Sequence, residues 1–368
     1  MRLKDLPQAL QDQIRSLFGV GGNCGCDGAL DDGCPLCSDK KLDEWLVQRA
    51  LAAPANPNAE VEKIKGLYFP VLDHGFVSLV DVMGDDGAVT QAARVSYGAG
   101  NRSVRDDTKL VRYLYNHRHT SPLEMVELKF HCKMPIFVAR QWIRHRTANV
   151  NEMSGRYSIM PLQMYTPNRE VIRAQSIQNK QGRGDEMDGP TMDRYLEGLA
   201  QCRSHSKEAY VDALSDDIAR ELCRIDLPLS LYTEWYWKID LHNLLHFLGL
   251  RCDGHAQWEI RQFANVMAGM VKQVAPAAYS AWIDYRFCAS TLSRMDRILL
   301  DGLLRTGESP TWQKAEELGM TKREWEAYQT KTTWDPDCVP DHTLDLSQAK
   351  TANYFLERAK EYVPNIES

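Results

Sequence analysis

The segment from Glu127 to Tyr157 constrains the fold of this chain more tightly than any other. Glu127, Lys129 and His131 alternate with Leu128, Phe130 and Cys132, the period-two pattern of a half-buried strand. Pro135 stops that strand and suits the first turn of a helix carrying Phe137, Val138, Trp142 and Ile143. The helix runs into Arg144-His145-Arg146-Thr147-Ala148-Asn149-Val150-Asn151-Glu152-Met153-Ser154-Gly155-Arg156-Tyr157, which packs three arginines, a histidine and a carboxylate into fourteen residues. Arg140 and Arg144 are one turn apart, while His145 and Arg146 fall at or near the helix end, so the cluster straddles helix and loop. Guanidinium groups are always charged and offer planar, bidentate donors to phosphate or to a pyrimidine edge. The competing reading is a solvated charged face. Two facts weigh against it: PIFVARQWI is apolar enough for a buried helix, and Gly155 lets backbone approach a ligand closely.

The spacing, RHR then seven residues then serine, resembles that of the flavin-dependent thymidylate synthases (the ThyX family). Further blocks resemble it in order and spacing: GFVSLVDVMG (75–84), AARVSYG (92–98), HTSPLEM (119–125), PIFVARQWIRHR (135–146) and RIDLPLSLYTEWYWKIDLHNLLHFLGLRCDGHAQWEIR (224–261). The resemblance covers roughly residues 70 to 285, and agreement of separate blocks makes chance an unsatisfactory explanation. It implies an α+β fold, an antiparallel sheet flanked by long helices. It also implies reductive methylation of dUMP to dTMP, with 5,10-methylenetetrahydrofolate as carbon donor and FAD reduced by NADPH as hydride source. In such an enzyme the protein mainly positions and polarises, while flavin and folate carry the bond changes. By the same resemblance Gln141, Arg144, Glu152, Ser154, Gly155 and Arg156 line the dUMP site, completed by Arg224 and Arg251. The FAD contacts are Ser96, His119, Ser121, Arg144, His145, Arg146, Glu152, Asp240, His242 and His246. The family's active sites are shared among subunits of a homotetramer.

Arg251 is the residue expected to be catalytic. It cannot act as a base, but against uracil N3 and the neighbouring carbonyl it would stabilise negative charge and raise electron density at C5. The alternative is a salt bridge to Asp253 or Glu259. Ser154 is not read as a nucleophile, because the only nearby group, Glu152, is an anion better suited to orienting a ligand or an arginine. The chain departs from the family at three places: Asp240 stands where asparagine is common, His242 where arginine is, and Asn149 where serine is. Asp240, His242 and His246 could be mistaken for a metal site, but hydrogen-bonded histidines are the commoner explanation and no metal is expected. His255 is structural or close to the flavin.

A net charge of −6 disfavours a general nucleic-acid binder. Its 43% hydrophobic residues can supply a substantial core. No apolar run of about 18 residues suggests a membrane span, and MRLKDLPQALQDQIRSLF is too charged for a secretory signal, so a cytoplasmic location is expected. Of ten cysteines, six are scattered singly. Cys24, Cys26, Cys34 and Cys37 form a C-x-C then C-x-x-C cluster that either wraps zinc or is a flexible loop with incidental thiols.

Three regions follow from these blocks: an N-terminal extension (1–65) with the cysteine-rich loop, a helix around Leu42–Leu51 and the linker APANPNAE; a catalytic domain (66–290); and a helical C-terminal extension (291–368). Within the catalytic part, Gly75–Met83 reads as a strand and Asn168–Pro190 as a mobile surface excursion. Helices are expected at Met192–Tyr210, Asp216–Ile225, Leu241–Leu250 and Ala256–Val274. LYTEWYW (231–237) suits a buried or interfacial patch equally well. Thr311–Tyr328 predicts two short helices around Gly319, in a tail whose near-balanced charge argues against a nucleic-acid recognition face. Two other functions are compatible with parts of the sequence: a related enzyme giving a different pyrimidine product, and a nucleotide sensor whose C-terminal helices touch nucleic acid.

Overall fold

The structure is a computed structural model that describes residues 57–95, 107–177, 181–333 and 338–364. The cysteine cluster, the helix expected at Leu42–Leu51 and Ser96 lie outside the described residues. The chain forms two compact units, one of residues 53–279 with 342–368 and the other of 1–52 with 280–341.

The larger unit opens with α1 (Pro57–Ile64), whose Val61 and Ile64 are buried. The stretch read as a linker therefore ends inside a helix. Strands β1 (Tyr68–Val71) and β2 (Gly75–Met83) follow, then helices α2 (Asp86–Arg94) and α3 (Asp107–Asn116). Next come β3 (Glu127–Pro135), α4 (Ile136–Trp142) and β4 (Asn149–Glu152). The polar excursion holds a two-stranded hairpin, β5 (Arg173–Gln175) with β6 (Arg183–Glu186). One helix of 27 residues, α5 (Gly189–Ser215), replaces the first expected helix and runs past its end. The second shrinks to a single turn, α6 (Arg220–Cys223). Asp217, left-handed at φ 58°, breaks the chain between them, and its short polar side chain tolerates that conformation better than most residues do. Then come β7 (Tyr232–Asp240), α7 (Leu241–Arg251), α8 (Trp258–Val274) and α9 (Pro276–Trp282).

The main sheet is antiparallel in the order β1-β2-β3-β7-β4, as the α+β expectation requires. Register puts Phe130 opposite Trp237 and Cys132 opposite Trp235, so alternation collects the apolar residues of β3 and β7 on one face. Trp142 of α4 is fully buried against that face, its ring 5.5 Å from Trp235, 5.3 Å from Trp237 and 5.1 Å from Phe247 of α7. Helix α8 buries Ile260, Phe263, Met267, Met270, Val271 and Val274 and packs on α1, α4, α7, β1 and β2.

The opposite face is polar and aromatic. His131 stacks on Tyr236 at 4.4 Å and meets Glu234 at 2.6 Å. Here the chain beyond residue 342 returns to the larger unit. Lys350 bridges to Tyr68, and the C-terminal helix Ala352–Lys360 sets Phe355 4.7 Å from Phe76.

Within the smaller unit, α10 (Arg294–Thr306) opens with a Ser293/Asp296 capping box, and α11 (Trp312–Glu317) and α12 (Lys322–Lys331) flank Gly319 at φ 87°. These are the two short helices expected. They bury Leu299, Ala315, Met320 and Tyr328 together. Among the described residues no helix is long and apolar enough to cross a membrane.

Candidate active site

The arginine-rich segment leaves α4 at Trp142 and turns back as β4, pairing Glu152 with Trp235 and Val150 with Trp237. The sequence reading had a loop here. Asn149, Asn151 and Glu152 are poor strand formers, so β7 rather than local propensity recruits them as an edge strand. The pairing puts Glu152 on the face of Thr233, whose buried hydroxyl donates to the Glu152 carboxylate. Sequence reasoning missed Thr233, which is hidden among the aromatics of LYTEWYW.

After β4 the chain turns tightly. The backbone N–H of Arg156 donates to Ser154 Oγ at 3.3 Å, and Gly155 between them is buried. A Cβ on Gly155 would meet Met160 Sδ at 3.0 Å and Arg224 Cδ at 3.1 Å, so any larger residue there presses on the Arg224 side chain that follows α6. Glu152, Gly155, Met160, Arg224 and Thr233 line a cavity of about 380 Å³. A second, of about 190 Å³, is lined by Ile143, His145, Arg146, Val150, Trp235 and Trp237. The Trp235 indole N–H is buried and has no acceptor among the described residues.

Arg251, at the last position of α7, donates from Nε to His145 Nε2 at 3.1 Å and from Nη2 to the Gln141 carbonyl at 3.2 Å. A guanidinium has only donors, so His145 Nε2 must be the bare nitrogen of a neutral imidazole with its proton on Nδ1. Burial, then the charges of Arg251 and His246, hold the His145 pKa down at about 4. The alternative partners of Arg251 are engaged elsewhere: Asp253 meets His255 at 2.8 Å, and Glu259 is ion-paired to Arg183.

Arg144, Arg146, Arg224 and Arg251 therefore have no carboxylate partner among the described residues. Arg156 differs, meeting Glu221 at 3.0 Å with both side chains exposed. Such a pair is worth about 0–1 kcal/mol and yields readily to a competing anion.

The structure does not draw every expected residue into this group. His119 lies 6.0 Å from the Tyr113 ring, and no hydrogen bond or ring contact links it or Ser121 to Arg144–Arg156 among the described residues. Asp240 is the N-cap of α7, accepting the Asn243 backbone N–H at 2.9 Å and its side-chain amide at 2.7 Å. That capping role accounts for aspartate there. His242 follows in the first turn of α7, and exposed His246 lies 6.1 Å from His145. Gln141, by contrast, is held: its side-chain amide donates to Gln257.

An α+β frame in which Arg224 and Arg146 each line a cavity, and in which these two with Arg144 and Arg251 meet no carboxylate among the described residues, suits a nucleotide-sized anion. Comparison with known proteins narrows the class. The family model Thy1, "Thymidylate synthase complementing protein", matches residues 78–277. Flavin-dependent thymidylate synthases are similar along most of the chain. That of Ruegeria pomeroyi is 48% identical over 303 residues, 80% of this chain and 98% of the relative. That of Dictyostelium discoideum is 51% identical over 234 residues, 61% of this chain and 77% of the relative. The chain belongs to the flavin-dependent thymidylate synthase family. Among solved structures, a UMP/dUMP methylase, PolB from Streptomyces cacaoi, bound with 5-Br UMP, aligns with a TM-score of 0.54 at 30% identity, over 59% of this chain and 97% of that one.

Proposed function

We propose that this chain reductively methylates dUMP to dTMP, using 5,10-methylenetetrahydrofolate as carbon donor and FAD reduced by NADPH. The observation that carries the reading is that Arg144, Arg146, Arg224 and Arg251 meet no carboxylate among the described residues, with Arg224 lining the larger cavity and Arg146 the smaller. A phosphate dianion in the larger cavity would be met by Arg224, by Arg156 released from Glu221, and by the Ser154 hydroxyl with adjacent backbone N–H groups. Gln141 and Arg144 line the base side, and Glu152, braced by Thr233, orients the ligand. Arg251 stabilises the charge that builds on the pyrimidine as C5 becomes nucleophilic.

The residues fit a flavin. Ile143 and Val150 are exposed although apolar, the Trp235 N–H lacks an acceptor among the described residues, and Arg144 and Arg146 suit a pyrophosphate. FAD, once bound and reduced, supplies the hydride. A cavity of about 190 Å³ is smaller than whole-ligand pockets of roughly 300–1,000 Å³. Most of a bound dinucleotide would therefore rest over the surface or against another copy of the chain. His119, Ser121, His242, His246 and the helix-capping Asp240 are assigned to that second side, with Ser96.

A homotetramer with shared sites is supported by the exposed β4 edge and by exposed Ile143, Val150, Tyr157, Leu222, Ile225 and Leu229 on the segments that frame the cavities. We further assign the catalytic machinery to residues 66–290, with extensions on both sides, and the protein to the cytoplasm. The test is the absorbance spectrum of purified protein, followed by anaerobic addition of NADPH, dUMP and methylenetetrahydrofolate with product analysis. Bleaching by NADPH and recolouring as dTMP forms is the expected result; a different pyrimidine product, or failure to bind FAD, would overturn the assignment.

A further inference from the structure

Behind Gln141 runs a chain of hydrogen bonds that the reaction as described does not use. Glu259, on the first turn of α8, is only 3% exposed. Its Oε1 accepts from Arg183 of the β5–β6 hairpin and from the Tyr165 hydroxyl at 3.2 Å, and its Oε2 accepts from Gln257 Nε2 at 2.9 Å. Arg183 is fixed a second time, 5.4 Å from the centroid of the Trp258 ring. Gln257 Oε1 in turn accepts from Gln141 Nε2.

The direction of every bond in this chain follows from its buried end. With three donors around it, Glu259 acts only as an acceptor. Gln257 must therefore turn its NH₂ toward Glu259 and its oxygen toward Gln141. Gln141 must then turn its own NH₂ toward Gln257, which leaves its oxygen and one remaining N–H for a ligand. Uracil offers a donor at N3 and acceptor oxygens beside it, whereas cytosine offers a bare acceptor at N3 beside an amino donor.

We propose that Glu259 and Gln257 are positioning residues that set the polarity of the Gln141 amide and thereby make the site accept a uracil edge and reject a cytosine edge. This rests on the reading above, in which Gln141 lines the pyrimidine site. It assigns the base discrimination of that site to a carboxylate two residues removed from the ligand.

Glu259→Gln is the decisive substitution because it is isosteric and inverts the chain. Arg183 can only donate, so the new amide keeps its oxygen toward Arg183 and presents NH₂ to Gln257. Gln257 must then reverse, and Gln141 after it, offering donors where an acceptor stood. Calorimetric titration of the FAD-loaded full-length protein with dUMP and with dCMP reads the result. The wild type should prefer dUMP, and in Glu259→Gln the ratio of the two dissociation constants should fall roughly tenfold to a hundredfold, the scale of leaving one or two polar groups mispaired. Exposed Gln257, the N-cap residue of α8, supplies a second variant should Glu259→Gln not fold. Gln257→Leu cuts the chain, frees Gln141 to turn either way and should also lower the ratio. Wild-type protein that discriminates, with a ratio changing less than threefold in both folded variants, would overturn this proposal while leaving the dUMP assignment standing. Wild-type protein that binds no dUMP would remove that assignment and this proposal together.

Discussion

Replacing Arg251 by alanine separates its proposed catalytic role from a structural one. Among the described residues the half-buried guanidinium meets no carboxylate and makes two hydrogen bonds, to His145 Nε2 and the Gln141 carbonyl. Loss of two such bonds at a site that water can reach costs about 1–2 kcal/mol of stability. The melting temperature should fall by only a few degrees. Loss of a preorganised donor that stabilises transition-state charge costs on the order of 10²–10³ in kcat, roughly 3–4 kcal/mol. Arg251→Ala should thus stay folded and retain FAD yet turn over at least a hundredfold more slowly. Arg251→Lys keeps the charge but cannot reach both partners with a planar fork, so it should fall between the two. The assay is single-turnover conversion of dUMP on pre-reduced enzyme, quenched and resolved by chromatography, with bound flavin read by absorbance. Turnover of Arg251→Ala within tenfold of wild type at equal flavin content would refute the reasoning.

Gly155→Ala pushes a Cβ against Arg224 and Met160; overpacking of about 1–2 kcal/mol at the cavity wall should raise the KM for dUMP roughly five- to thirtyfold, and an unchanged KM would show that Arg224 does not serve that site. Asp86, half-buried, accepts the backbone N–H groups of Ala277 and Ala278, and desolvation pushes its pKa up to about 7. Because the folded state holds this proton more tightly than the unfolded chain, the stabilisation is complete below about pH 4 and is lost as pH rises through 7, with a ceiling of roughly 4 kcal/mol. Urea unfolding at pH 5 and pH 8 should show this loss in wild type and not in Asp86→Asn; parallel pH dependence in the two proteins would exclude it. Trp142 is fully buried and its indole N–H has no acceptor among the described residues. Trp142→Ala should cost about 3–5 kcal/mol and Trp142→Phe much less, whereas equal costs would mean that the N–H has a partner.

Period-two alternation in Glu127–Met134, the proline after it and the helical repeats of Leu241–Leu250 and Ala256–Val274 were legible because each carries its own pattern of burial. The strand Asn149–Glu152 carries none, since an edge strand of polar residues forms only because β7 offers free hydrogen bonds beside it. The break at Asp217 was invisible for a related reason. Helical periodicity continues through Asp216–Ile225, and a single left-handed residue interrupts it without changing composition. Arg144, Arg224 and Arg251 could be singled out from the sequence, but not that Arg251 meets no carboxylate among the described residues, which depends on Asp253 turning to His255 and Glu259 to Arg183.

That last pairing shows where sequence reasoning about the site stops. Glu259 reads locally as the acidic residue expected in a helix's first turn, and Gln257 beside it as an unremarkable polar residue. What gives them a part in recognition is the arrival of Arg183, 76 positions away in sequence, from a hairpin in a segment that reads as a polar loop. Its cationic fork and the Tyr165 hydroxyl meet the carboxylate while Gln257 lies within reach of Gln141. A carboxylate can face only donors and an amide can face both ways, so the direction of three successive hydrogen bonds is decided by one buried charge. Composition cannot encode that direction, and only the fold brings its determinants together.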